Sequence, residues 1–157
     1  MLKAVLDTNV VVSAHLTADG PAALIFRLAI SKYFQCYVSQ EILEEYCEVL
    51  QRRKFKLDAN DVVQSLSAFR GAAVLVNPRI QIVAARDPDD NKILECAIEA
   101  KADYIVTGNI RDFPKQFRGV SVFPPRGFLN VLASRTGKAI RFACCSLRIG
   151  GVGFGHA

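Results

Sequence analysis

The sequence lacks the features that mark membrane, secreted and zinc-binding proteins. No apolar run approaches the roughly 18 residues of a membrane-spanning helix, and the N-terminus lacks the basic, apolar and small-residue sections of a signal peptide. The five cysteines are odd in number and contain no Cys-x-x-Cys pair, which argues against a disulfide framework and against a zinc site. We therefore expect a cytoplasmic protein with reduced thiols.

Two phosphate-binding motifs are also absent, and histidine is scarce. The sequence contains neither Gly-x-Gly-x-x-Gly nor the Gly-x-x-x-x-Gly-Lys-[Ser/Thr] loop. Its two histidines are His15 and His156, and the second lies in the C-terminal tail, so a histidine-based triad has only His15 to build on. We interpret His15 as a structural residue or a substrate-side contact rather than a general base.

The length and the charge distribution predict one domain with a distinct tail. A chain of 157 residues that is 51% hydrophobic suffices for one core. Residues 133–157 contain four basic and no acidic residues, and the rest of the chain has 16 basic and 15 acidic residues. Basicity alone therefore does not indicate nucleic-acid binding. We expect the domain to span residues 1–132 and the glycine-rich, basic tail at 133–157 to be poorly ordered.

Strand and helix patterns alternate along the domain, which favours a parallel sheet with helices on both faces. The predicted strands lie at 2–7, 34–38, 73–76, 81–83, 104–107 and 120–123. The predicted helices lie at 22–31, 40–53, from a cap at Asp58 or Asn60 to Arg70, at 91–100 and at 127–133.

Two acidic residues follow predicted strands. Asp7 closes the first apolar strand, and Asp112 follows the strand at 104–107 through a short loop. Ligand sites in open parallel sheets form outside the carboxyl ends of the strands, so both acids are candidates for a site. The alternatives are a turn-forming role for Asp7 and an ion pair of Asp112 with Arg111 or Lys115.

One acid lies beside the apolar face of the predicted helix at 40–53. On a helical wheel, Glu45 is about 40° from Val49, at the edge of the apolar stripe, and it is the acid closest to that stripe. A carboxylate beside a buried face costs free energy unless it is paired or binds a cation. The alternative is an ion pair of Glu45 with Arg52 or another nearby base.

A fourth acid precedes the helix at 91–100. Asp90 projects along the apolar stripe of that helix, one turn earlier. The alternative is a helix-capping role, which Asp87 fits better as the residue before Pro88.

These four acids would converge at one edge of the sheet, where their mutual repulsion requires cations. Carboxylate oxygens suit Mg²⁺ or Mn²⁺, which activate water and bind phosphate oxygens. The pattern therefore favours phosphodiester hydrolysis over redox chemistry.

Four segments and a closing segment resemble the PIN-domain nucleases over roughly residues 1–132, and most closely the VapC-like toxins of prokaryotic toxin–antitoxin systems. The four segments are Leu6-Asp7-Thr8-Asn9-Val10, Glu41-Ile42-Leu43-Glu44-Glu45-Tyr46, Asp87-Pro88-Asp89-Asp90-Asn91 and Thr107-Gly108-Asn109-Ile110-Arg111-Asp112-Phe113. The closing segment is Pro125-Arg126-Gly127-Phe128-Leu129.

This resemblance implies a three-layer α/β/α fold and a ribonuclease that depends on Mg²⁺ or Mn²⁺. Its metal-binding and catalytic acids fall on the same four positions, Asp7, Glu45, Asp90 and Asp112. The residues implied to orient these carboxylates are Thr8, Asn9, Thr107 and Asn109. Many relatives carry Asp where this chain has Asn109, so Asp112 has to supply the fourth charge.

The resemblance also implies partners. We expect an RNA substrate, a homodimer and a small antitoxin protein across the site, with no sequence-specific DNA binding by this chain alone. The candidate RNA-binding residues, which could instead be a solvated helix end, are Arg52, Arg53, Lys54 and Lys56. The competing hypotheses are a catalytically silent PIN-like binding module, and a metal-dependent DNA nuclease or phosphatase.

Overall fold

A six-stranded sheet is the framework of residues 1–136, the part of the chain that the computed structural model describes. Its strands are β1 (Lys3–Leu6), β2 (Gln35–Ser39), β3 (Val74–Val76), β4 (Tyr104–Val106), β5 (Gln116–Phe117) and β6 (Val120–Phe123). The strand order is β3-β2-β1-β4-β6-β5. All neighbours are parallel except the β5–β6 hairpin. Because β1 lies inside the sheet, its last three residues are fully buried.

Six α-helices flank the sheet, which confirms the predicted α/β class with a mainly parallel sheet. They are α1 (Thr8–Leu16), α2 (Pro21–Ile30), α3 (Gln40–Leu50), α4 (Ala59–Ala72), α5 (Asn91–Glu99) and α6 (Pro125–Thr136). Short 3₁₀ turns cover Arg53–Phe55, Pro88–Asp90 and Ile110–Asp112. Helix α5 packs against β1, β2 and β4, whereas α1 packs on α2 and α3.

The sequence pattern does not predict α1. Three consecutive valines, Val10 to Val12, are β-branched and disfavour a helix intrinsically. The helix forms because Val10, Val11 and Ala14 are buried and because α1 packs against two other helices. Asp7 caps it, since its side chain accepts a hydrogen bond from the amide of the first helical residue.

The predicted strand at 81–83 is wrong, because side chains of α5 bind the backbone there instead of a neighbouring strand. The Ile82 amide donates to Glu95 Oε1 at 2.9 Å. The amides two and three residues later donate to Asn91 Oδ1 at 3.0 and 2.9 Å. Val83 is 94% exposed, whereas the Ile82 side chain is buried in the core, so the segment packs on the domain without joining the sheet.

Other parts of the fold also differ from the sequence-based prediction. Helix α3 ends at Leu50, and the chain continues into the 3₁₀ turn rather than extending the helix to 53. The closing helix α6 starts at Pro125, where proline fits the first helical turn. The β5–β6 hairpin was not predicted, and Gly119 supports its turn with a φ of 86°.

His15 occupies a structural position on α1. Its Nδ1 lies 2.7 Å from the Val11 carbonyl oxygen, and its Nε2 lies 2.8 Å from Ser65 Oγ on α4. Its ring packs edge-on against Phe26 with 5.1 Å between centroids. Burial lowers the pKa of His15, and the contact with Val11 opposes that shift. The side chain therefore ties α1 to α2 and α4.

Two further sequence-based expectations concern membrane-spanning helices and the C-terminal tail. No helix within residues 1–136 is long and apolar enough to cross a membrane. Most of the predicted tail, residues 137–157, lies outside the described residues, so its expected disorder stays a prediction.

Candidate active site

The carboxyl ends of β1 and β4 lie side by side and position the first acid. Leu6 pairs with Val106 in the parallel ladder, so the next residues, Asp7 and Thr107, leave the sheet together. The Asp7 amide donates to the Val106 carbonyl at 2.9 Å. The Thr107 hydroxyl is buried and donates to Asp7 Oδ2 at 2.7 Å. A ligand site in a parallel sheet is expected at this kind of strand end.

Asp7 is held by donors on both carboxylate oxygens. Oδ1 accepts the Thr8 amide at 2.7 Å, and Oδ2 accepts the Asn9 side-chain amide at 3.0 Å beside the Thr107 hydroxyl. Burial raises the pKa of Asp7, the bonds from Thr107 and Thr8 lower it, and the Glu45 charge raises it again. The net pKa lies above the ordinary value. Asp7 is therefore fixed in place, with a charge that its donors compensate only in part.

Glu45 approaches Asp7 from α3 and is joined to it through Thr8. The Thr8 hydroxyl donates to Glu45 Oε2 at 2.8 Å. The Lys92 ammonium lies 3.1 Å from the same oxygen, whereas Arg52 pairs with Glu48 at 3.4 Å. The alternative of an ion pair of Glu45 with a nearby base is therefore found, and the base is Lys92 on α5 instead of Arg52.

Asp90 lies where the 3₁₀ turn meets α5, close to the other acids. Its side chain makes no capping hydrogen bond, and Asp87 instead accepts the amide two residues later at 3.0 Å. Burial raises the pKa of Asp90 most. Neighbouring carboxylates contribute to a pKa of about 7, in decreasing order those of Asp7, Asp87, Asp112 and Glu45. The other three predicted acids are therefore within electrostatic range of Asp90.

Asp112 lies in the 3₁₀ turn after β4 and contacts the amide of Asn109. The Asn109 side-chain nitrogen donates to Asp112 Oδ2, and the Asn109 backbone amide donates to Thr107 Oγ1 at 3.0 Å. Within residues 1–136 Asp112 forms no ion pair with Arg111 or Lys115, the alternative that the sequence left open. Asn109 thus contacts Asp112 through its side chain and the buried Thr107 through its backbone.

A glycine lets the loop after β4 approach α1. The Gly108 amide donates to Asn9 Oδ1 at 2.8 Å. A Cβ atom at Gly108 would lie 3.3 Å from that same oxygen, which is tighter than ordinary van der Waals contact. Asn9 also donates to Thr107 Oγ1 at 3.3 Å. The four predicted orienting residues therefore all contact an acid or one another.

The predicted RNA-binding residues do not touch the acids. They are exposed, at the end of α3 and around the 3₁₀ turn that follows it: Arg52, Arg53, Lys54 and Lys56. Arg52 lies seven residues beyond Glu45, about 10 Å along a helical axis. The Lys54 ammonium packs 4.9 Å from the centroid of the Phe55 ring. Their contact with RNA stays a prediction.

Three further residues support the site and were not singled out from the sequence. Lys92 contacts Glu45, and the signal for it was a lysine just after a run of acids. Asn91 is buried and binds the backbone before Asp87 through Oδ1. Tyr46 is fully buried and donates from its hydroxyl to the Leu6 carbonyl, which fixes α3 against the end of β1.

The donor set suits a hard divalent cation, but the side chains would have to draw together around it. Within residues 1–136 no group of three or more His, Cys, Asp or Glu side chains is arranged to hold a metal ion as it stands. Burial is the largest cause of the raised pKa values of Asp7 and Asp90, and nearby carboxylates raise them further. No hydrogen bond or ion pair within the described residues restrains the Asp90 carboxylate. Carboxylate oxygens with these properties fit Mg²⁺ or Mn²⁺.

Comparison with known proteins identifies the family. The sequence profile of the PIN domain matches residues 3–111, which include Asp7, Glu45 and Asp90. The chain belongs to the PIN-domain family. PIN domains are metal-dependent nucleases that typically cleave phosphodiester bonds and generally use divalent metals. The family resemblance found in the sequence is therefore confirmed, and the assignment to its toxin branch stays a prediction.

One relative of this PIN domain is an uncharacterised protein of the archaeon Methanocaldococcus jannaschii. It is 35% identical over 111 residues, which cover 69% of this chain and 71% of the relative. This similarity supports the family without adding an activity.

Proposed function

We propose that this PIN domain is a metal-dependent endoribonuclease that hydrolyses RNA phosphodiester bonds. The observation that carries the proposal is the clustering of acids around Asp90, whose pKa is raised to about 7 by burial first and then by the neighbouring carboxylates. Such repulsion in a half-buried site is relieved when a cation binds. We choose Mg²⁺ or Mn²⁺ as the cofactor because the available donors are carboxylate oxygens.

In this proposal, Asp7 and Asp90 hold the principal ion, and Glu45 and Asp112 complete the acidic cluster. When bound, such an ion supplies an activated water and neutralises charge on the phosphate. Asp7 Oδ1 accepts one hydrogen bond, from the Thr8 amide, and so retains capacity for a further partner. Asp90 lacks hydrogen-bond restraints within the described residues, so its carboxylate is free to turn towards the ion.

The remaining acids orient the attacking water in this proposal. Glu45 Oε2 accepts the Thr8 hydroxyl and the Lys92 ammonium, which leaves Oε1 as the atom that would accept a proton from water. Asp112 is held by Asn109 on Oδ2 and has Oδ1 available in the same way. The residues that orient the acids are thus assigned as positioning groups, not as reacting groups.

We assign the exposed basic run after α3 to the RNA backbone. Its members, Arg52, Arg53, Lys54 and Lys56, are close to Glu45 along the chain and are exposed. Because the rest of the domain is nearly neutral, the affinity for RNA would be modest and would fall as the salt concentration rises.

We further propose that the protein is the toxin of a toxin–antitoxin pair and acts in the cytoplasm as a homodimer. The support is the sequence resemblance to VapC-like toxins, together with three unpaired cysteines among the described residues. In this role a small antitoxin protein covers the acidic site, and any promoter recognition comes from the antitoxin. Co-purification of the chain with and without the gene product encoded next to it tests this role.

The substrate class is tested by presenting RNA, single-stranded DNA and a small phosphate ester to the purified protein side by side. We expect RNA cleavage with Mn²⁺ or Mg²⁺ and none with EDTA. Cleavage of DNA alone, or of the ester alone, would contradict the ribonuclease proposal. Asp61→Asn is a suitable control variant. Asp61 is exposed in the first turn of α4, so this substitution removes one negative charge without changing any of the four proposed acids.

A further inference from the structure

Lys92 forms the one ion pair between a basic side chain and any of the four acids within residues 1–136. Its Nζ lies 3.1 Å from Glu45 Oε2, and the two side chains are 22% and 25% exposed. The other ion pair of the described residues joins Arg52 and Glu48 within one helix, with side chains 50% and 74% exposed. The contact of Lys92 is therefore partly shielded from solvent and joins two helices at the site.

Lys92 and a neighbouring hydroxyl contact the same carboxylate oxygen of Glu45. Oε2 accepts the Lys92 ammonium and the Thr8 hydroxyl at 2.8 Å, so two donors use its acceptor capacity. A divalent ion bound to the same oxygen would meet the ammonium charge at close range. The ammonium charge would therefore repel a second ion bound through either oxygen of Glu45 for as long as the ion pair with Lys92 persists.

Asp112, the other acid that could bind a second ion, also has one of its oxygens occupied. Asp112 accepts the side-chain amide of Asn109 on Oδ2. Because Asn109 is neutral, it adds no ligand charge to that side of the site. Asp7 and Asp90, by contrast, have no positively charged partner among the described residues.

We infer that the site takes one divalent ion, at Asp7 and Asp90, and that the Lys92 ammonium holds the place of a second cation. This inference rests on the proposed metal-dependent function, but it concerns how the charge of the four acids is neutralised. Lys92 is a positioning residue in this scheme, since it acts on the site through Glu45.

The number of Mn²⁺ ions bound per chain tests the inference without any substrate. Isothermal titration calorimetry of the full chain should give one Mn²⁺ per chain. In Lys92→Met a second binding event should appear, and the first ion should bind about tenfold more tightly, because a nearby positive charge is gone. Lys101→Met is the matched control: this exposed lysine lies just beyond the end of α5, and its loss should leave the stoichiometry at one.

Lys92→Arg keeps the inference testable if Lys92→Met does not fold. Arginine retains the charge, so this variant should bind one ion, as the wild type does. Two ions bound by the wild type, or weaker binding of the first ion in Lys92→Met, would overturn the inference. RNA cleavage measured in parallel separates the two proposals. Two ions with RNA cleavage contradict only the inference, and one ion without cleavage contradicts only the ribonuclease.

Discussion

The two carboxylates proposed to hold the metal are built into the fold in different ways. Asp7 extends a central strand, is 5% exposed and accepts three hydrogen bonds. Asp90 ends a 3₁₀ turn, is half-buried and accepts no hydrogen bond within the described residues. The fold therefore fixes the position of Asp7, whereas the position of Asp90 responds to the charges around it. We expect mutations of the two residues to affect activity alike and stability in opposite directions.

The largest expected effect is the loss of cleavage in Asp90→Asn and Asp7→Asn. Removing either proposed metal ligand should reduce RNA cleavage by roughly 100-fold or more. In the metal-free protein Asp90→Asn should raise Tm, since it removes repulsion, and Asp7→Asn should lower it, since an amide group would face the Asn9 and Thr107 donors. Cleavage assays and thermal unfolding of both variants, with Asp61→Asn as the control, measure these effects. Equal shifts of Tm in both variants would contradict the comparison.

Thr107→Val should loosen the part of the site around Asp7, where hydrogen bonds hold the carboxylate. The substitution keeps the side-chain shape but removes the hydroxyl that donates to Asp7 and accepts from the Asn109 amide. We expect unfolding to become easier by about 1–2 kcal/mol and cleavage to fall about tenfold. Denaturant unfolding and initial rates measure the two effects. Thr17→Val, which alters an exposed threonine at the end of α1, is the control, and an equal loss in both variants would contradict the role of Thr107.

Asp90, whose carboxylate no hydrogen bond restrains within the described residues, should make the metal-free protein less stable as pH rises. The folded pKa of Asp90 is about 7 and its ordinary value is 3.8, so the folded state binds more protons than the unfolded state between these values. The stability that Asp90 contributes is therefore fully present below its ordinary pKa and is lost as pH rises through its folded pKa. After allowance for solvent screening the loss is of the order of 1 kcal/mol, or about 2–4 °C in Tm.

Thermal unfolding in EDTA between about pH 5.5 and pH 8 measures this loss. Asp90→Asn should show a smaller decrease than the wild type, because the asparagine does not titrate. An identical pH dependence in the two proteins would show that Asp90 does not carry the shifted pKa.

The smallest expected effect concerns the basic run, which lies outside the acidic site. Arg53→Gln should weaken RNA binding by a factor of about two to five and reduce the slope of log affinity against log salt by about one. Titrations at several salt concentrations measure both quantities. Arg70→Gln, at the exposed end of α4, is the matched control. An unchanged slope in Arg53→Gln would assign the basic run to a solvated helix end.

The sequence predicts the acid positions where local rules are sufficient. Asp7 follows a buried strand, and the carboxyl ends of parallel strands share one edge of the sheet. The position of Asp7 next to Thr107 therefore follows from the topology. Helical periodicity distinguishes Glu45 and Asp90 from the acids beside them. The catalytic roles of these residues stay predictions, which the cleavage experiments test.

The remaining features depend on tertiary contacts that no local pattern encodes. The pairing of Lys92 with Glu45 requires α3 and α5 to meet, although 47 residues separate them in the chain. The backbone at 81–83 has a strand-like composition, yet side chains of α5 bind it. Helix α1 forms against the intrinsic preference of its valines because two helices cover it.

The most direct test of the central claim is RNA cleavage by the purified chain with Mn²⁺, compared with Asp90→Asn and Asp61→Asn under the same conditions. Our account predicts cleavage by the wild type and by Asp61→Asn, none in EDTA, and a loss of roughly 100-fold or more in Asp90→Asn. Cleavage that persists in Asp90→Asn, or that does not need the metal, would contradict the assignment of a metal-dependent nuclease site to these acids.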